Sequence, residues 1–208
     1  MKPMKVGPII AAAFAALIAV PAVAQAPDGT LTNVRGKVEK LDGQKLTVKS
    51  REGKSVTVNL ADKFGVLGIQ KAKLSDIKQG QFIGTAAIEK KDGKLHAQEV
   101  LIFPAGVRPG EGHYPWDLRG KNDTMTNADV IELEPVAKGK GVALKLKHKD
   151  GQNEVVVDPG TPVVTFAPDS ADLLKPGTTI FIRALKKPDG TIVAQNVVAE
   201  KNGVKPPM

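Results

Sequence analysis

The sequence predicts an all-β fold built as two small five-stranded barrels in tandem. Three observations predict it. Apolar and polar residues alternate in short runs: Leu46 and Val48 oppose Lys45, Thr47 and Lys49 in one, and Leu144 and Leu146 oppose Lys145, Lys147 and Lys149 in another. The runs are punctuated by Asp-Gly and Glu-Gly pairs, the strongest short hairpin signals. Finally, the pattern occurs twice. "GQFIGTAAIEKKDGKLHAQEVLIF" (80–103) lies over "GTTIFIRALKKPDGTIVAQNVVAE" (177–200), with Gly80 on Gly177, Asp92-Gly93 on Asp189-Gly190 and Ala97-Gln98 on Ala194-Gln195. Upstream the register drifts by a few residues, where Thr32-Asn33 matches Thr126-Asn127 and Arg51-Glu52-Gly53 matches Lys149-Asp150-Gly151. A unit of roughly 75 residues is too long for a solenoid repeat and suits a small β-domain.

Taken in order, "VRGKVEKLDG" and "QKLTVKSREG" form a hairpin across Asp42-Gly43, and "KSVTVNL" follows across Glu52-Gly53. A less regular stretch ends in "KLSDIKQG", where Ser75 is placed to cap one helical turn that stops at Gly80. "QFIGTAAIEK" and "KLHAQEVLIF" close the unit as a hairpin across Asp92-Gly93. Five short antiparallel strands with a helical turn between the third and fourth is the layout of an OB-type barrel, whose closure removes exposed sheet edges. The fold expected is therefore two tandem five-stranded OB-like barrels joined by an aromatic-containing connector, with a single β-sandwich as the rival. The boundaries are 27–104 for the first barrel, 105–125 for the connector, and 126–208 for the second barrel with its short Pro-rich tail.

The first 26 residues read as a secretory signal peptide. Lys2 and Lys5 precede an apolar run from Ile9 to Val20, and Ala24-Gln25-Ala26 offers small residues for cleavage after Ala26 or after Ala24. The run is shorter than the ~20 residues of a spanning helix. Residues 1–26 carry two Lys and no acid, so removing them leaves 182 residues with a formal charge of +6. The chain has no Cys, which excludes a disulfide framework and a lipidated cysteine. A disulfide-free exported chain points to a bacterial periplasm. There the anions available to a basic protein are lipid headgroups, lipopolysaccharide phosphates and acidic polymers.

No catalytic constellation stands out, and no enzyme activity is expected. There is no Cys nucleophile, no Gly-x-Ser-x-Gly elbow and no phosphate loop, and most acids sit in turns. Single-stranded nucleic acid needs aromatic platforms, but the outward positions Lys45, Thr47, Lys49, Thr57 and Asn59 include none. The rows Lys45/Lys49 and Lys145/Lys147 remain candidates for an anionic envelope surface. Candidate metal ligands are His113, Glu111, Asp117 and Met125, a set whose imidazole, carboxylates and thioether suit Cu or Zn. Their spacing matches no established ligand motif, so no cofactor is expected beyond that option. His96 reads as a packed strand residue, and His148, flanked by Lys147 and Lys149, as exposed.

The segment "GEGHYPWDLRGKNDTMTN" (110–127) holds the only Tyr and the only Trp. Its prolines and glycines break regular structure. Tyr114 and Trp116 are expected to anchor the connector between the two barrels, and with Arg119 to offer a ligand or partner site there. The motifs "VRGKVEKLDG", "LTVKSREG", "LSDIKQGQFIGTAA", "GEGHYPWDL", "TMTNA" and the closing "GVKPPM" resemble a group of uncharacterised exported proteobacterial proteins with OB-like domains of unknown function. The resemblance covers nearly the whole chain after the signal. Some of these proteins carry the label of a metal transporter permease, which implies metal handling nearby; no apolar run here beyond the signal would span a membrane. The function expected is that of a periplasmic binding or scaffold protein of the cell envelope, whose partner is an envelope protein or an anionic envelope surface. A metal-binding accessory protein centred on His113 is the alternative.

Overall fold

The computed structural model describes residues 28–206 apart from 119, 121, 138 and 140. The expected signal peptide and Arg119 lie outside the described residues. The first repeat supplies β1 (Thr30–Asp42), β2 (Lys45–Ser50), β3 (Ser55–Ala72), β4 (Phe82–Glu89) and β5 (Leu95–Ile102). The connector carries β6 (Gly112–Pro115). The second repeat supplies β7 (Asp123–Pro135), β8 (Val142–His148), β9 (Gly151–Val157), β10 (Val163–Asp169), β11 (Thr179–Lys186) and β12 (Ile192–Ala199). The all-β expectation holds, and among the described residues no helix is long and apolar enough to cross a membrane.

β3 runs on well past "KSVTVNL". Its counterpart in the second repeat is broken into β9 and β10 by "DPGTP" (158–162), whose prolines cannot donate to a sheet ladder. The helical turn between the third and fourth strands is a single 3-10 turn, Leu74–Asp76. It is Asp76, not Ser75, that holds its start, accepting from the Lys73 amide at 2.8 Å. In the second repeat Ser170 does cap, accepting from the Asp172 amide at 3.2 Å.

The strands pair into a closed five-strand barrel, but not one made from a single repeat. β1 pairs with β2, β2 with β3, β3 in parallel with β12, β12 with β11, and β11 back with β1. A second five-strand circuit runs β4–β7–β8–β9–β5–β4, closed through a short parallel link in which Leu95 meets Val155 and His96 meets Val156. Each circuit thus takes three strands from one repeat and the closing hairpin from the other. The circuits do not follow the tandem arrangement read from the sequence. Both hairpins carry the same apolar alternation, so the pattern cannot say which barrel each one completes.

The interiors include the alternating residues foreseen, Leu46, Val48, Leu144 and Leu146. With them Val58, Ile180, Ile182 and Val197 fill the first circuit, and Ile83, Val100, Val130 and Val155 the second, all fully buried. Each such side chain contributes about 1.5–3 kcal/mol relative to exposure. The circuits join along the second half of β3, which pairs antiparallel with β10 from Val66↔Asp169 to Ala72↔Val163. At the centre Ile69 faces Phe166, residues related by the same offset as Gly80 and Gly177. The repeats are therefore related by a pseudo-two-fold axis through this ribbon.

Residues 28–104 alone lack β11 and β12, and β1 and β3 are then left with open edges. That fragment is expected to show no cooperative thermal transition by circular dichroism until residues 105–208 are added. A cooperative transition of the fragment alone would overturn the exchange.

Candidate functional site

A cavity of about 1060 Å³ lies between the two circuits. One wall is the outer face of β1 and β11. Along β11, Ile180, Ile182 and Ala184 point into the barrel, so Phe181 and Arg183 point out, opposite Arg35 and Asn33 of β1. The facing wall is the outer side of β4, β5 and β7, with Leu101, Phe103 and Met125, and the floor is the central ribbon with Leu67, Ile69 and Phe166. Phe103 bridges floor and wall, with its ring 5.8 Å from Phe166 in an edge-on arrangement and 5.6 Å from Phe82. Gly84 permits this: a Cβ there would stand 3.2 Å from the Phe103 ring and 2.7 Å from the Asn127 side-chain oxygen. Leu31 (61 % exposed) and Val107 (40 %) also border the cavity, and they are the two exposed large hydrophobic residues among those described.

The connector is fastened to both circuits. β6 pairs with β7, setting Tyr114 beside Met125 and His113 beside Thr126. The Asn127 amide donates to the Tyr114 hydroxyl at 2.8 Å and to the Pro109 carbonyl at 3.0 Å. The turn into β6 is made at Gly110, whose φ of 58° favours glycine. Trp116, buried at 9 % exposure, donates its backbone amide to the Asp123 carbonyl at 2.9 Å. The next residue crosses to the first circuit. Asp117 takes a bidentate pair from Arg35 at 2.7 and 3.0 Å, and a third bond from Asn33 at 2.9 Å. Burial raises the Asp117 pKa, but these hydrogen bonds outweigh it and hold the carboxyl below its usual range. Arg35 also lies over the Phe181 ring at 4.9 Å.

The expected site residues divide accordingly. Tyr114, Trp116, Asp117 and Met125 border the cavity. Glu111 is drawn away to Arg108 at 3.2 Å, and that arginine is also paired with Asp129 at 2.6 Å. His113 faces the other side of β6, where its Nδ1 meets the Thr126 hydroxyl at 2.8 Å and its ring stacks on His148 at 6.3 Å. The four candidate metal ligands are not gathered, and among the described residues no group of three or more His, Cys, Asp or Glu is arranged to hold a metal. Lys45 and Lys49 lie on the outside of the first circuit, and Lys145 and Lys147 on the outside of the second, with Lys145 paired to Glu132 at 3.2 Å. The two Lys rows belong to different circuits, on β2 and β8.

Two histidine expectations meet different outcomes. His96 is packed in β5, at 9 % exposure, between Asp158 (2.8 Å) and Asp92 (3.1 Å). His148 is not exposed but buried to 7 %. It alternates inward with Leu144 and Leu146, accepts from the Asp150 amide on Nδ1, and so donates from Nε2 to the Asn153 side chain at 2.7 Å. Flanking lysines did not make it a surface residue because strand alternation sends them to the other face.

The groove residues absent from the sequence reading are Phe103, Phe166, Phe181 and Arg183. For Phe103 and Phe181 the signal was available: "VLIF" (100–103) and "TIFI" (179–182) carry apolar residues on both faces, which an isolated barrel strand with one wet face does not require. No protein-family model matches the chain, and the curated proteins and solved structures yield no match either.

Trp116→Ala is expected to cost about 3 kcal/mol, the low end for a buried aromatic because the ring borders the groove. That corresponds to a Tm lower by roughly 6–12 °C for a chain of this size; an unchanged Tm would mean that the ring fastens nothing. Burial and the neighbouring His148 lower the His113 pKa. Its contribution is intact above about pH 6.5 and shrinks as the pH falls, because the unfolded chain takes up a proton that folded His113 resists. His113→Gln should therefore flatten the fall in Tm between pH 7 and 5.5, measured by thermal scans at matched ionic strength.

Proposed function

We propose that this chain is a non-enzymatic, exported binding protein of the cell envelope that holds an apolar small molecule in the groove between two OB-like barrels. The observation carrying the reading is the cavity itself. At about 1060 Å³ it stands at the upper end of ordinary ligand sites, and it is built mainly of apolar side chains with a few convergent polar groups. Its lip gathers Leu31 and Val107, the large hydrophobics that the described surface leaves most open. Exposed apolar residues that cluster at one cleft favour a ligand over a purely structural seam. The connector supports the same reading, since Tyr114, Trp116 and Asp117 fix one side of the cleft while tying both circuits together. Export rests on the N-terminal sequence pattern. The metal reading centred on His113 is set aside because Arg108 and Arg35 occupy Glu111 and Asp117.

The test is titration of the mature chain with the neutral fluorescent probe N-phenyl-1-naphthylamine. A saturable emission rise is expected, with energy transfer from the solitary Trp116 at the groove edge. Leu101→Glu, a half-buried groove position, should abolish the signal while the Tm is retained. No saturable signal from the unaltered chain would overturn the reading.

A further inference from the structure

The two walls of the groove are chemically different, although the repeats that build them are alike. Arg183 stands where the first repeat has Ala86, and Phe181 where it has Gly84, at the constant offset of the repeat. Lys187 likewise matches Lys90. Lys90 is paired with Asp158 at 2.8 Å, whereas no carboxylate among the described residues pairs with Lys187 or Arg183. The Arg183 guanidinium stands near the connector, 3.9 Å from the position a Cβ on Gly110 would take and close to Tyr114, whose hydroxyl borders the same position at 3.3 Å. One polar end and one apolar body thus share a single cleft.

The charges facing the cavity define the ligand further. They are Arg35, Arg183 and Lys187 against Glu99 and Asp117. Arg35 and Asp117 neutralise each other through their bidentate pair. Among the described residues this leaves Arg183 and Lys187 against Glu99, with Arg183 the cation beside the connector. A guanidinium with its fork unfilled matches a carboxylate in shape and charge. The apolar surface beyond it is formed by Phe103, Phe166, Leu67 and Leu101, with Glu99 on the same face of β5 as Leu101.

On the groove reading above, we infer that the ligand is a long-chain monoanionic amphiphile, a fatty carboxylate, with its head at Arg183 and its chain along the aromatic floor. A charge-assisted hydrogen bond is expected to give roughly a tenfold or greater preference for the anion.

The experiment displaces N-phenyl-1-naphthylamine from the full mature chain with four amphiphiles of one chain length, below their micelle concentrations: laurate, dodecanol, dodecyl phosphate and dodecyltrimethylammonium. Laurate is expected to bind at least about tenfold more tightly than dodecanol and the cationic amphiphile, and no more weakly than dodecyl phosphate. Arg183→Ala should erase the advantage of laurate over dodecanol when the two affinities are compared within the variant, with its Tm retained. Arg183→Lys should restore part of it. Equal affinity for laurate and dodecanol, or an advantage that survives Arg183→Ala, overturns this inference and leaves the groove reading standing. Tighter binding of dodecyl phosphate overturns the carboxylate in favour of a phosphate head. Failure of the probe itself to bind overturns both readings.

Discussion

The antiparallel pairing of the second half of β3 with β10 is the constraint on which the rest of the molecule depends. It sets Ile69 against Phe166 on the pseudo-two-fold axis, and each strand of the pair then recruits the terminal strand of the opposite hairpin in parallel register. Parallel pairing requires a crossover rather than a tight turn. Here β4–β5 and β11–β12 are delivered to the far circuit, and the crossing supplies it. Closure of the barrels, burial of both interiors and the position of the groove all follow from that one ribbon.

The groove is a by-product of the exchange that the side chains then make specific. Two closed barrels with polar outer faces would need no apolar residues between them. Here β5 and β11 carry apolar residues on their outer faces as well, Leu101 and Phe181 among them, because those faces look across the cleft rather than into water. The connector adds the asymmetry that a strict two-fold axis forbids. Its Tyr114 and Trp116 line one wall, and its Asp117 reaches across to neutralise Arg35 on the other. Arg183 faces the cleft beside the connector. A near-symmetrical frame thereby holds a polarised site, which a ligand with one charged end and one apolar end would fill in a single orientation.

The pairing scheme also bears on folding. β1 and β11 lie near opposite ends of the described chain, and the first circuit does not close without their pairing; the second is closed by Leu95 of β5 meeting Val155 of β9. Loop-closure entropy has to be met before the interiors are rewarded, so a slow, highly cooperative assembly is the natural consequence. Once closed, the circuits leave few strand edges for wrong partners.

The sequence by itself determined the strands, their facing and their turns. Leu46, Val48, Leu144 and Leu146 are buried because alternation with period two leaves them no other face, and the Asp-Gly turns fall where glycine can adopt a positive φ. It also singled out Tyr114 and Trp116, which border the cleft. What only the tertiary structure decided was partnership. The two closing hairpins are interchangeable in pattern, so nothing local says which barrel each completes. The holding of Arg108 by Asp129, the stacking of His113 on His148 and the meeting of Phe103, Phe166 and Phe181 around one cavity depend on contacts between distant segments. Alternation encodes which way a side chain points, whereas the exchange of strands decides what it meets there.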